Sequence, residues 1–361
     1  MNNTQRLMTE YRKQFYLAYH KKVLPILKGF ELKKKNYFSQ IMIGEIVILL
    51  IIAMLFATFG TFCTANWPLF VILGLIAMIA LPCYLNSKFV KELKTYCLKP
   101  ILDIFGNITW KQNVMDNSEL NNSDLFSAFN RRSSDDGFEG EYKGVNFKIV
   151  ETELGHESGS GKHRRYHQVF KGVVIKFDSN KPVRAKTLVA TKGDRNIGRT
   201  SFLSIFLAIS IFMLHAYSTG SKGIFIGSAI FCVFLVILNI YCTHRDKKNK
   251  LYLQQIHLED PIFEKKFNAY TTDEIEGRYL ITTAFMERFI NLNTAFGSKR
   301  AKCAFYGDSI MFAISTHKNL FEIGNLFSKL ENPKQIDEFF NEFASILLLV
   351  DHFKLDQKTG L

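Results

Sequence analysis

The sequence predicts an α+β cytoplasmic domain combined with helical membrane hairpins, four transmembrane helices in all. Three observations predict it. Four long apolar runs fall into two close pairs, basic residues crowd the flanks of those runs, and the remaining sequence mixes strand-type with helix-type segments. Hydrophobic residues make up 47% of the 361 residues and charged residues 22%, which excludes a disordered or collagen-like chain.

The first run, residues 46–63, holds eighteen residues without a charge. That is close to the ~20 needed to cross ~30 Å of hydrocarbon at ~1.5 Å per helical residue. After Thr64, Ala65 and Asn66 comes the second run, residues 67–85, with Trp67 where an interfacial aromatic belongs. Together the two form a tight hairpin. Residues 201–217 and 224–242, joined by STGSKG, form the second pair. The third run is the shortest, and a shallow re-entrant hairpin is the alternative to a full crossing there. About forty polar residues precede the first run, so it does not read as a signal peptide.

Orientation follows from Lys and Arg near the runs. The flanking segments 1–40, 86–100, 191–200 and 243–250 carry net charges of +7, +3, +2 and +3, whereas the two connecting loops hold only Lys222. Every basic flank therefore falls on one side, which places both termini and the large polar segments in the cytoplasm of a bacterial inner membrane. The formal net charge of +13 first suggests nucleic acid or membrane as a partner. Residues 101–190 carry only +1, however, and residues 251–361 carry −3. The expected partners are a bilayer with anionic headgroups and a protein on the cytoplasmic side, and no nucleic acid. Six cysteines without a CxxC pair indicate neither a zinc framework nor a disulfide scaffold.

The expected organisation is an amphipathic cytoplasmic helix at 1–40, a hairpin at 41–85 and a connector at 86–135. Next come a first part of the α+β domain at 136–195, an inserted hairpin at 196–245 and a second part at 246–361. Within the first segment Met8, Tyr11, Phe15, Tyr19, Val23, Ile26 and Phe30 recur at helical spacing, and Pro25 should kink the helix. The stripe packs on the protein's own domain, or else on a membrane surface or a partner. The second span should continue through Phe89, Leu93, Cys97 and Leu98 as far as Pro100.

Residues 117–144 read as a polar loop or short helix with a turn at Asp136-Gly137. Residues 144–154, 166–178 and 187–191 read as strands, the first two flanking the Gly- and Ser-rich loop GHESGSGKHRR. Residues 267–272 and 277–282 read as extended, followed by a helix at 284–293 capped by Thr282 or Thr283. Residues 301–306 and 309–316 should pair as a hairpin across Gly307-Asp308. A last helix starts with Asn332 as cap and Pro333 in its first turn, with Gln335 able to complete a capping box.

No motif names a reaction, and no cofactor or metal is indicated. GHESGSGK has five residues between its outer glycines, and His163 follows the Lys where a phosphate loop needs Ser or Thr for magnesium. His156, His163 and His167 sit on a glycine-rich basic loop without carboxylate or thiolate partners at ligand spacing. The densest polar cluster is DEIEGRY at 273–279, which gives Asp273, Glu276 and Arg278 as candidate binding residues. On a strand, Glu276 and Arg278 share a face and could form an ion pair. A catalytic use would make Asp273 or Glu276 a general base and Arg278 an anion clamp, but no nucleophile accompanies them. Glu45 lies at the edge of the first run rather than near a midplane, which does not favour transport.

Several ordered segments resemble a bacterial membrane-protein family known as domain of unknown function 3137. They are SDLF, DDGFEGEYKGVNFKIVETEL, VFKGVVIKFDSNKPVRAKTLVAT and, above all, HLEDPIFEKKFNAYTTDEIEGRYLITTAFMERF, followed by FYGDSIMFAIS and LFE. The resemblance implies an N-terminal helix, a membrane hairpin and a cytoplasmic α+β domain, and it brings no catalytic residues. Residues 196–245 stand out as an insertion. The expected function is a non-enzymatic membrane-anchored binding or scaffolding module. A membrane-associated enzyme using residues 273–279 is the alternative, and a transporter comes third.

Overall fold

The structure is a computed structural model that describes residues 3–58, 60, 67–159, 164–194, 253–295, 298 and 300–353. The expected spans at 201–217 and 224–242 lie outside the described residues, as does His163. The helices are α1 (Asn3–Ala18), α2 (Leu24–Thr58), α3 (Trp67–Leu102), α4 (Asn117–Asn122), α5 (Pro261–Lys266), α6 (Glu274–Leu280), α7 (Thr283–Ala295) and α8 (Pro333–His352). The strands are β1 (Ile108–Trp110), β2 (Arg131–Tyr142), β3 (Val145–Ser158), β4 (Arg165–Thr191), β5 (Gln254–Ile256), β6 (Phe267–Thr271) and β7 (Ala301–Ser315). An α+β architecture results. The chain divides into two compact units, one of Met1–Trp110, Gly140–Tyr142 and Asn319–Leu348, the other of Lys111–Glu139, Lys143–Lys318 and Leu349–Leu361.

In the first unit a π-helical turn, Tyr19–Val23, joins α1 to α2 directly before Pro25. Proline lacks the N–H that would bond four residues back, and its ring crowds that carbonyl, so a locally widened turn accommodates it. Phe15, Tyr19, Val23 and Phe30 are buried as the spacing predicts, whereas between Val23 and Phe30 the buried residue is Leu27 and Ile26 stays half-buried. The stripe is covered within the unit, where Phe15 packs on Phe340 of α8 with ring centroids 4.8 Å apart. Tyr16 donates a hydrogen bond to Asp337 of the same helix.

Helices α2 and α3 form an antiparallel pair that holds one register along its length. Phe30 lies beside Tyr96 (ring centroids 5.8 Å), Tyr37 beside Phe89 (5.3 Å) and Phe56 beside Phe70 (5.8 Å). Between them Gly44 faces Leu81 and Gly74 faces Ile52. A Cβ on Gly44 would stand 2.4 Å from Leu81 Cδ2, and one on Gly74 would stand 2.8 Å from Ile52 Cδ1, so both glycines allow the helices to approach closely. Helix α3 runs on to Leu102 with Phe89, Leu93, Cys97 and Leu98 buried, and Pro100 falls in its last turn.

In the second unit β4 organises the sheet. Its first half lies between β3 and β7, its second half between β6 and β7, all antiparallel, and β5 extends the sheet beyond β6. Among the described residues the sheet has seven strands in the order β1-β2-β3-β4-β6-β5, with β7 along β4. One face packs Val150, Leu154, Val174, Leu188 and Met311 against Met115, Leu120, Leu125 and Phe126 of the segment around α4. Phenylalanines dominate a second cluster, in which Phe289 packs on Phe263, Phe267, Phe285 and Phe312, and Phe353 lies against Phe285 and Phe312.

Four local expectations are corrected. Residues 301–306 and 309–316 are one strand, β7, not a hairpin; Gly307 adopts φ +54° at an irregularity in the ladder, where the strand bends without reversing. The strands expected at 166–178 and 187–191 are likewise the single β4, with its irregularities opposite the same bend. Asp136-Gly137 lies inside β2 rather than in a turn, and Gly137 is required by space, since a Cβ there would stand 2.4 Å from the Lys111 carbonyl oxygen. Residues 274–280, expected to be extended from 277 onward, are α6, because Asp273 caps them as a helix.

Candidate functional site

The three residues proposed from sequence lie at α6 and engage three different partners. Asp273 accepts hydrogen bonds from the Ile275 and Glu276 N–H groups, at 2.9 and 3.3 Å, as an N-cap. Glu276 Oε1 accepts from the Arg184 N–H of β4 at 2.8 Å. Arg278 does not pair with Glu276; it donates to Glu274 Oε1, 2.9 Å from Nη2, one helical turn away. The expected pairing assumed strand geometry, and in a helix the side chains that meet are three or four apart. The three side chains thus start the helix, fix it to β4 and brace its exposed side. No shared focus for a substrate is formed by these contacts.

A denser constellation, unread in the sequence, surrounds Glu119 of α4. Lys176 of β4 donates to Glu119 Oε1 at 2.8 Å, Lys148 of β3 at 3.0 Å, and the Asp116 N–H donates to Oε2 at 3.0 Å. Lys148 and Lys176 are directly opposite in the β3–β4 ladder, so strand pairing brings two cations to one carboxylate. Burial alone would raise the Glu119 carboxyl, but the hydrogen bonds from Lys176, the Asp116 N–H and Lys148 outweigh it and hold it at about 2. Such a group stays ionised near neutral pH and cannot serve there as a general acid.

Two further lysines grip the same segment. Lys186 of β4 pairs with Asp124 and donates to the Asn122 carbonyl at 2.9 Å. Lys302 of β7 is buried, donates to the Leu125 carbonyl at 3.0 Å and pairs with Asp194 at 2.9 Å. Burial pulls the Lys302 ammonium below its ordinary value, against the opposing effect of Asp194. Four strand lysines therefore clamp residues 119–125 onto the sheet. The available signal was a lysine repeatedly placed within apolar strand runs, but its partners are set by ladder register, which one sequence does not disclose.

The first unit carries the other distinctive geometry. Below the apolar run of α2, Glu92 of α3 accepts hydrogen bonds from Lys33 at 2.7 Å and from Tyr37 at 2.9 Å, and from Phe38 onward the outer surface of the helix is dominated by exposed Met, Ile, Leu and Val. Residues 319–332 are bonded to both helices at that level. Leu326 N–H donates to Asn86 Oδ1 at 2.9 Å, Leu330 N–H to Glu31 at 3.4 Å, and buried Lys34 donates to the Ser328 carbonyl. Buried Lys94 pairs with Glu322 at 2.9 Å.

These features define an α+β sheet protein joined to two helices long and apolar enough to cross a membrane. Only 6% and 11% of the most apolar windows of those helices are buried, which argues against core helices of a soluble fold. The chain belongs to the family described as Protein of unknown function (DUF3137), whose match covers residues 168–355. The resembling segments at 123–126 and 135–154 lie outside that match, while residues 257–289 lie inside it. No curated protein and no solved structure matches the chain.

Proposed function

We propose that this chain is a multi-pass protein of a bacterial cytoplasmic membrane whose α+β domain is a non-enzymatic, membrane-anchored binding or scaffolding module. The observation that carries the reading is the α2–α3 pair, whose outward surface from residue 42 to residue 79 includes exposed Met42, Leu50, Met54, Leu69, Ile72 and Ile79. An apolar surface of this height matches the hydrocarbon thickness of a bilayer. The basic flanks support termini on the cytoplasmic side, and the uncharged runs at 201–217 and 224–242 support a second hairpin. The engaged state of Asp273, Glu276 and Arg278, and of the Glu119 clamp, supports structural roles for the polar clusters rather than catalytic ones.

Single cysteines at Trp67 and Tyr96, both exposed, test the orientation in a cysteine-free chain expressed in bacterial spheroplasts. Trp67→Cys is expected to react with a membrane-impermeant maleimide from outside, and Tyr96→Cys only after lysis. Equal labelling of both before lysis refutes the spanning topology. Alanine at Asp273, Glu276 or Arg278 that abolishes a cellular phenotype while the fold is retained would favour the enzyme reading instead.

A further inference from the structure

We infer that the turn at residues 325–328 is a second membrane contact, a foot that seats Phe327 in the headgroup region of the same bilayer that α2 and α3 cross. The inference rests on the membrane reading above and adds a surface that no apolar run in the sequence discloses.

Two contacts fix the level of the turn along the helix pair. Leu326 is hydrogen-bonded to Asn86, the residue directly after the second apolar run, and Phe327 packs edge-on against Phe38 with ring centroids 6.1 Å apart. Phe38 precedes Met42, where the exposed apolar surface of α2 starts, by four residues, which is about 6 Å along a helix axis. The turn therefore stands where the polar stem ends and the apolar surface begins on both helices. Its residues in the opposite direction are tied to the stem, Ser328 to Lys34 and Leu330 to Glu31.

The turn is also preorganised. Asn325 Oδ1 accepts from the Phe327 and Ser328 N–H groups at 2.9 and 2.8 Å, and Ser328 Oγ accepts from the Asn325 N–H at 3.2 Å. Leu326 points inward and is buried, while Phe327 is 62% exposed. A large aromatic held outward by a closed turn loses little further freedom on insertion. Its surroundings match an interface rather than water or a protein groove. Exposed Tyr84 lies on α3 two residues before Asn86, and the cations Lys35, Lys88 and Lys329 are exposed close by in the chain. Aromatic rings with lysines beside them are the composition that anionic headgroups accept.

The test uses full-length protein in vesicles of phosphatidylethanolamine and phosphatidylglycerol, with Trp67 and Trp110 replaced by Phe. Phe327→Trp is expected to emit to the blue of free tryptophan and to be quenched about twofold by lipids brominated near the headgroup, as a shallow interfacial residue is. Leu50→Trp, inside the first run and read with lipids brominated along the acyl chains, serves as the reference for insertion. Quenching of Leu50→Trp without quenching of Phe327→Trp overturns the foot and leaves the membrane reading standing; quenching of neither overturns the membrane reading itself. A blue-shifted but unquenched Phe327→Trp means burial against protein and also overturns the proposal. If the tryptophan-free chain does not fold, a nitroxide on Phe327→Cys in a cysteine-free chain decides the question. Greater exposure to oxygen than to a water-soluble nickel complex supports insertion, and the reverse excludes it.

Discussion

Single side chains decide how the segment around α4 stays on the sheet. Glu119 is held well below a free carboxyl of ~4.3 by its lysine and backbone donors. A group whose folded pKa is depressed stabilises fully above its unfolded value and loses that contribution as pH falls through the folded one. Glu119→Gln is therefore expected to cost about 1–2 kcal/mol at pH 7, after allowance for solvent screening of a partly exposed cluster. Thermal melting in detergent should also show the wild-type advantage fading between about pH 4.5 and about 2. An unchanged melting point at pH 7 would show that Lys148 and Lys176 find equivalent solvent there. Lys302 and Asp194 form a tighter case, with side chains 3% and 8% exposed. Lys302→Ala is expected to cost roughly 3 kcal/mol because it strands the buried carboxylate. The double replacement Lys302→Ala with Asp194→Asn should cost clearly less than the two single effects combined, which a double-mutant cycle measures. Neither cluster was legible in the sequence. Each lysine was visible, but its carboxylate partner lies between 29 and 108 residues away along the chain, and only the ladder register joins them.

At the scale of elements, the long helices were legible, whereas the short helices α5 and α6 and the strand boundaries were not. Long runs with helical spacing declared α1, α2, α3 and α8, and Thr282, which accepts from the Phe285 N–H at 3.2 Å, caps α7 as expected. Asn332 likewise accepts from the Lys334 N–H at 3.2 Å at the start of α8. The strand errors share one cause. Gly-Asp and Asp-Gly are turn signals only when the chain must reverse, and a long strand with paired neighbours uses the same residues for bends and close approaches. Gly307 makes this testable, since nothing lies within 4 Å of where its Cβ would be and only its positive φ opposes a side chain. Gly307→Ala is expected to destabilise by about 1 kcal/mol and Gly307→Asn by less, because Asn tolerates that region better. Equal costs would place the penalty elsewhere. In the hairpin, Gly44→Ala needs only the tip of Leu81 to move, whereas Gly44→Phe must separate α2 from α3. The second variant alone should lower the melting temperature in detergent, and an effect from both would mean that Leu81 is locked.

For the molecule as a whole, composition misdirects unless it is divided. The net charge of +13 belongs to the segments that flank the apolar runs and not to the sheet domain, so binding to nucleic acid in a gel-shift titration should be absent at physiological salt. The division of labour between stem and sheet was legible from the position of the charges, while the closure of residues 319–332 onto the stem was not, because it depends on polar contacts between residues far apart in the chain, Asn86 with Leu326 and Lys94 with Glu322. The continuous helical run from Thr9 to Thr58, π-helical at Tyr19–Val23, has a further consequence. Phe15, which anchors α8 through Phe340, precedes Phe38 by 23 residues, or about 34 Å of helix. The Debye length at physiological salt is about 8 Å, so that distance is about four screening lengths. If α2 and α3 cross a bilayer and Phe327 sits among its headgroups, as proposed, a change in lipid charge is felt at Phe38 and Phe327 but has decayed almost entirely at Phe15. On that reading the stem is an electrostatic insulator, and whatever assembles at its far end does so blind to the surface potential of the bilayer.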